Sequence, residues 1–143
     1  MFICRQGGWD EMRSLTTTCR MEVFVKEQQI PVEIEFDSRD ATAWHFAVTM
    51  SGKVEEVVGS ARLLPDGHIG RVCVLFQYRK LGVGRLVMEQ ALQRAKEAGH
   101  RSVVLESQTQ AVEFYSSLGF KVNPSRGVFP VSGLPHVEMT LTF

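Results

Sequence analysis

The sequence predicts an α+β fold, a mostly antiparallel sheet partly covered by helices, and two observations predict it. The hydrophobic periodicities run in the order strand, helix, three strands, helix, strand, helix, two strands. The middle three strands follow one another across short turns as a meander, and only one strand-helix-strand crossover comes after them.

Each element has its own reason. Residues 2 to 5 form a short strand. From Trp9 to Gln28 the apolar residues Met12, Leu15, Cys19 and Val23 recur at helical spacing until Pro31 forbids continuation. Glu33 to Ala43 is an acidic, aperiodic linker. WHFAVTM (44–50) and VEEVVGSARLL (54–64) are strand-like runs joined as a hairpin across Ser51-Gly52-Lys53. Pro65-Asp66-Gly67 turns the chain into HIGRVCVLF (68–76), the third strand of the meander.

From Gly82 a helix buries Val87, Met88, Ala91, Leu92, Ala95 and Ala98, shows Arg85, Glu89, Gln93 and Lys96 to water, and stops at Gly99. RSVVLES (101–107) is an apolar-centred strand and QAVEFYSSLG (110–119) a helix ending on glycine. FKV (120–122) and HVEMTLTF (136–143) close the sheet.

A chain of 143 residues fits one domain, 1–143, since domains run to roughly 100–200 residues. Apolar residues at 44% and charged residues at 22% describe neither a disordered nor a membrane protein. Sixteen basic residues balance sixteen acidic ones, which leaves no overall field to hold a nucleic-acid backbone. The N-terminal MFICRQGGWDEMR has no apolar run long enough for a signal peptide, and no stretch approaches the ~18 apolar residues of a span. The expectation is a cytoplasmic protein. Three cysteines without CxxC spacing and four histidines without paired spacing point to reduced thiols and no metal site.

The informative stretch is FQYRKLGVGRLVMEQALQRAKEAG (76–99). Arg79, Lys80 and Arg85 surround two glycines directly ahead of a helix, whose start offers unpaired N–H groups and the positive end of the helix dipole. Gly82 and Gly84 let an anion approach the backbone, and phosphate fits that description. A GxxxxGK[ST] loop is absent. A GxGxxG dinucleotide fingerprint fails at its third position, Val87, although Glu106 stands at the distance that reading asks.

The remaining pattern, R-x-x-G-x-G at Arg79-Lys80-Leu81-Gly82-Val83-Gly84, resembles the pyrophosphate-binding motif of the GNAT family of acetyl-CoA-dependent N-acetyltransferases. A-x-x-F-Y-x-x-x-G-F at Ala111 to Phe120 is similar to the family's later helix. VFVKEQQIP (23–31), EFD (35–37) and GLPHVEM (133–139) resemble its small bacterial ElaA/YjcF-like branch. The resemblance implies a GNAT-like layered αβα fold, whose central, twisted, mostly antiparallel sheet has about six or seven strands and helices on both faces. It implies acetyl-CoA as the donor and a small primary amine as the acceptor, with no nucleic-acid or membrane partner and a homodimer left open.

By the same resemblance, Val72, Cys73 and Val74 splay from the neighbouring strand to pair with the pantetheine arm, and Val74 N–H lies near the thioester oxygen. Residues 79–85, Arg79 to Arg85, hold the pyrophosphate. Tyr115 is the expected general acid and also contacts the cofactor; on type alone it is a helix tyrosine capping the core. Gln108 stands where many members carry a cofactor-binding Asn, with an amide of longer reach. The general base stays open among His136, since an imidazole ordinarily titrates near ~6.5, Glu27 and a water. Glu27, Glu35 and Asp37, within an acidic run that includes Glu33 and Asp40, are the expected acceptor-binding groups, attracting a cationic amine, where the alternative is a solvated loop. Cys73, in an apolar strand, is expected to be inert, so the amine attacks the thioester directly. A non-catalytic CoA-binding sensor or scaffold is the competing function, and it has no need of the Tyr115 hydroxyl.

Overall fold

In the computed structural model, which describes residues 1–51 and 56–143, two four-stranded sheets stand side by side. The first runs β1 (Phe2–Gly7), β2 (Trp44–Met50), β3 (Val57–Leu63), β4 (Ile69–Val74), each antiparallel to the next. In the second, β5 (Ser102–Gln108) and β6 (Lys121–Val122) flank β8 (Leu134–Thr142), and β7 (Phe129–Val131) folds back on β8. The expected class holds. The strands number eight among the described residues, where about six or seven are expected, because three-residue β7 is too short to show a period. Of the expected turn Ser51-Gly52-Lys53, Gly52 and Lys53 lie outside the described residues.

β4 and β5 run parallel and part company. One bridge, His68 to Val104, with Val104 N–H donating to Gly67 O (3.1 Å), joins them near their starts. From there the two strands diverge, and the sheets open like a V toward Val74 and Gln108.

Helices cover both faces of the first sheet, as strand alternation requires. Phe46 and Val48 of β2 pack with the core beneath α3 (Val83–Glu97), while Ala47 between them belongs to the core beneath α1 (Trp9–Arg20). The expected helix from Trp9 to Gln28 is an α-helix only to Arg20. Met21–Glu27 widens to a π-helix that ends in Gln28 N–H on Val23 O (3.0 Å) and Gln29 at φ 59°. The expected linker holds a one-turn helix α2 (Val32–Glu35) and a 3₁₀ turn (Ser38–Thr42).

α3 buries Val83, Val87, Met88, Ala91 and Ala95, and ends before Ala98, which is exposed. Gly82 precedes it at φ 88°, a left-handed conformation that favours glycine. Gly59 on β3 lets α3 come close: a Cβ there would meet Val83 Cγ1 at 2.6 Å. α4 (Val112–Ser117) follows β5. Among the described residues no helix is long and apolar enough to cross a membrane.

Candidate active site

The V between the sheets is a cavity of about 970 Å³ that continues from the start of α3 to the segment around α2. At one end are Arg79, Lys80, Gly82, Gly84 and Arg85. The first bond inside α3 is Leu86 N–H to Gly82 O (3.0 Å), so the amides of Val83, Gly84 and Arg85 precede it and are left for an anion. The side chains of Leu81, which is exposed, and Val83, which is buried, do not line this cavity. Gly84 packs closely on the far wall: a Cβ there would stand 3.2 Å from Phe114 Cζ. This narrow, amide-rich cradle fits a diphosphate.

Arg79 is already engaged. Its Nη1 and Nη2 grip both carboxylate oxygens of Glu27 (2.8 and 2.7 Å), and its Nε donates to Val74 O (2.9 Å). The pairing with Glu27 raises the Arg79 pKa further. Two expected site residues therefore neutralise each other, and the guanidinium pins the π-helical end to the last residue of β4.

The strand edge has the polarity a bound thioester arm requires. Leu75 N–H reaches Val58 O on β3 (2.9 Å), so alternation turns the amide of Val74 away from β3, toward the V, where its carbonyl meets Arg79. Val72 shares that orientation. Cys73 is buried, with Sγ 3.5 Å from Cys19 Sγ and 3.3 Å from Ser60 Oγ, and burial pushes its thiol pKa up, so it is a neutral, poorly nucleophilic group.

On the opposite wall Tyr115 is buried, its ring edge-on to Phe114 and Phe120 (centroids 5.1 and 6.0 Å). Tyr115 lines the cavity, and its hydroxyl has no hydrogen bond among the described residues. Burial, and then the nearby Cys73, raise its pKa, so the phenol is neutral at ordinary pH. Gln108 exchanges amide bonds with Gln28 (2.9 and 3.3 Å), tying β5 to the end of the π-helix.

His136, opposite Gln108 in the β5–β8 register, also lines the cavity. Its Nδ1 is 2.7 Å from Leu134 O, and a carbonyl only accepts, so Nδ1 carries the proton and Nε2 holds the free lone pair. Phe129 stacks on the ring (6.4 Å, 29°). No local pattern marks Phe129, and only the QQ of VFVKEQQIP points to Gln28.

The acidic groups expected to attract an amine have partners. Glu35 is 2% exposed and bonded by Arg20 Nε (2.8 Å). Burial raises its pKa despite the arginines around it. Asp37 takes Arg62 Nη1 and Nη2 (2.7 and 3.1 Å), and this pairing depresses its pKa to about 2. Arg20 and Arg62 also share Asp40.

Comparison with known proteins agrees with this geometry. A model of the acetyltransferase (GNAT) domain matches residues 16–143. The chain is 38% identical over 123 residues to YjcF of Bacillus subtilis (strain 168), an uncharacterized N-acetyltransferase, covering 84% of this chain and 85% of YjcF. Escherichia coli ElaA superposes with a TM-score of 0.80 at 27% identity, over 99% of both chains. An acyl-CoA N-acyltransferase from Pseudomonas aeruginosa gives 0.79 at 28%, again over 99% of both.

Proposed function

The chain belongs to the GNAT acetyltransferase family, and from that premise we propose that residues 1–143 work as one domain that moves the acetyl group of acetyl-CoA directly onto the primary amine of a small cytoplasmic molecule. The observation that carries this reading is convergence: the amide cradle at α3, the outward Val74 edge, Tyr115 and His136 all line one cavity.

Acetyl-CoA supplies an activated acyl group as a thioester. In the proposed reaction the amides of Val83, Gly84 and Arg85 hold the diphosphate, with Lys80 and Arg85 adding charge. The edge of Val72 and Val74 aligns the extended arm, and Val74 N–H stabilises negative charge growing on the carbonyl oxygen. His136 Nε2 takes the proton of the attacking nitrogen as the C–N bond forms. Tyr115 gives its proton to the sulfur as the C–S bond breaks, leaving an N-acetylated amine and a free thiol, and the phenol recovers its proton from solvent. Glu27, committed to Arg79, is the weaker candidate for base.

Thiol release from acetyl-CoA across a pool of primary amines tests the activity. Tyr115→Phe keeps the ring between Phe114 and Phe120, so CoA affinity and melting temperature should persist while turnover falls on the order of 10²-fold. Full turnover in that variant removes Tyr115 from the mechanism; undiminished CoA binding in a parent that acetylates no amine favours a sensor.

A further inference from the structure

At the α2 end of the cavity the unmet hydrogen-bonding capacity is cationic. Asp37 is filled: Oδ1 accepts from Arg62 Nη1 (2.7 Å) and Arg39 N–H (3.1 Å), and Oδ2 from Arg62 Nη2 (3.1 Å) and Arg71 Nη2 (3.2 Å). Those four donors match the roughly four lone-pair sites of a carboxylate. Arg71 is not filled. Its Nε donates to Glu35 O (3.1 Å) and lies 3.2 Å from Glu35 Oε2, and its Nη2 turns to Ile34 O (3.4 Å) and Asp37. Nη1 has no partner among the described residues, and unlike Arg62 Nε it is not a sealed, unpaired atom. The Arg71 side chain is 25% exposed and lines the cavity.

We propose that Arg71 Nη1 binds a carboxylate on the acceptor, so that the preferred substrate is a small primary amine that also carries a carboxylate. This rests on the amine-acetylation reading above and narrows it. Of the three guanidinium groups at this end of the cavity, Arg39 is paired with Asp66 (3.0 Å) and Arg62 with Asp37 and Asp40 (2.7 and 2.9 Å), whereas Arg71 keeps Nη1 open among the described residues. Burial lowers the Arg71 pKa, with Glu35 opposing that shift and Arg62 and Arg20 adding to it, and an anion at the open Nη1 would offset the cost of that burial. With Glu35 and Asp37 on the same arginine, a monoanion suits the place better than a phosphate dianion.

The spacing suits an amino-acid-sized molecule. Arg71 stands three residues before Val74, on the order of 10 Å along a strand, a gap that a small molecule bearing both groups can span. Arg71 is held at φ 53° where the β3–β4 register shifts, which fixes where its side chain leaves the strand. Phe24, Ile30, Leu64 and Ile69 supply apolar wall beside it.

The test compares amino acids with their carboxamides, which keep the amine and lose only the anion. In the parent protein kcat/KM should favour the carboxylates by at least tenfold, and N-acetyl amino acids should bind by calorimetry more tightly than N-acetyl amino-acid amides. Arg71→Gln, checked by melting, should erase both preferences and leave CoA affinity unchanged. Equal use of acids and amides by the parent, or a preference that survives in Arg71→Gln, overturns the inference while acetyl transfer to amines stands. If neither set is acetylated, calorimetry still decides: equal or absent binding of the N-acetylated pair sinks the carboxylate site, and selective binding keeps it while the amine reaction fails.

Discussion

Asp37 ends with its carboxylate enclosed by Arg62, Arg39 and Arg71, and that has a consequence for stability against acid. Its folded pKa, depressed to about 2 chiefly by the Arg62 hydrogen bond, lies below the ~3.9 of an unfolded aspartate. The folded state therefore holds its proton less tightly than the unfolded state. The stabilisation is present in full above about pH 4 and is lost as pH falls toward 2. Glu35 works with the opposite sign, because burial raises its pKa. The denaturation midpoint of the parent should fall between pH 4 and pH 2 more steeply than that of Asp37→Asn; parallel curves would mean that the Arg62 pairing does not discriminate the two states. The same residue shows what sequence withholds. Glu35 and Asp37 read as an acidic patch beside a cleft, because the arginines that cancel them, Arg62 and Arg71, lie 25 and 34 positions from Asp37.

At the scale of elements, Gly59 and Val83 determine how α3 sits on its sheet. A Cβ at Gly59 would overlap Val83 Cγ1 at 2.6 Å, so in Gly59→Ala something must shift, and the expected movement is of the first turn of α3 outward. We expect a loss of about 1–3 kcal/mol from overpacking. CoA affinity should weaken with it, since the amides of Val83, Gly84 and Arg85 move with that turn. Gly59→Ala combined with Val83→Ala should cost less than the sum of the two single changes by more than about 0.5 kcal/mol in denaturant unfolding; strict additivity would show that the two residues do not press on each other. Long periodic elements were legible: α3, the strand at 44–50 and the glycine-rich start all follow from spacing. The π-helical Met21–Glu27 was not, because Val23 and Phe24 are buried whichever ladder the backbone uses. Nor was α2, whose four residues complete barely one turn. The Gln28–Gln108 bond spans 80 positions and belongs to no local pattern.

Taken as a whole molecule, the protein is two sheets joined at one end and held apart at the other. Cores beneath α1 and α3 stiffen the first sheet, β8 organises the second, and near the open end described links across the V include Gln28–Gln108. A ligand lying in the V with its backbone-like amides against β4 takes the place of a missing strand, so its binding energy should appear as added order along that edge. At a hundredfold excess over Kd it adds about 2.7 kcal/mol to stability, which a melting shift reads. The location of that gain is the sharper measurement. Amides of β5 that face β8 are already paired, as are amides of β4 that face β3, whereas Val72 and Val74 turn toward the cavity. Hydrogen exchange at Val72 and Val74 should therefore slow on saturation with CoA, while Val103 and Leu105, inside the β5–β8 ladder, change little. Slowing confined to the start of α3, with Val74 exchanging as in the free protein, would leave the diphosphate cradle in place and remove the strand edge from donor binding. Loss of protection in the β5–β8 ladder would instead show that the second sheet yields when the V is filled.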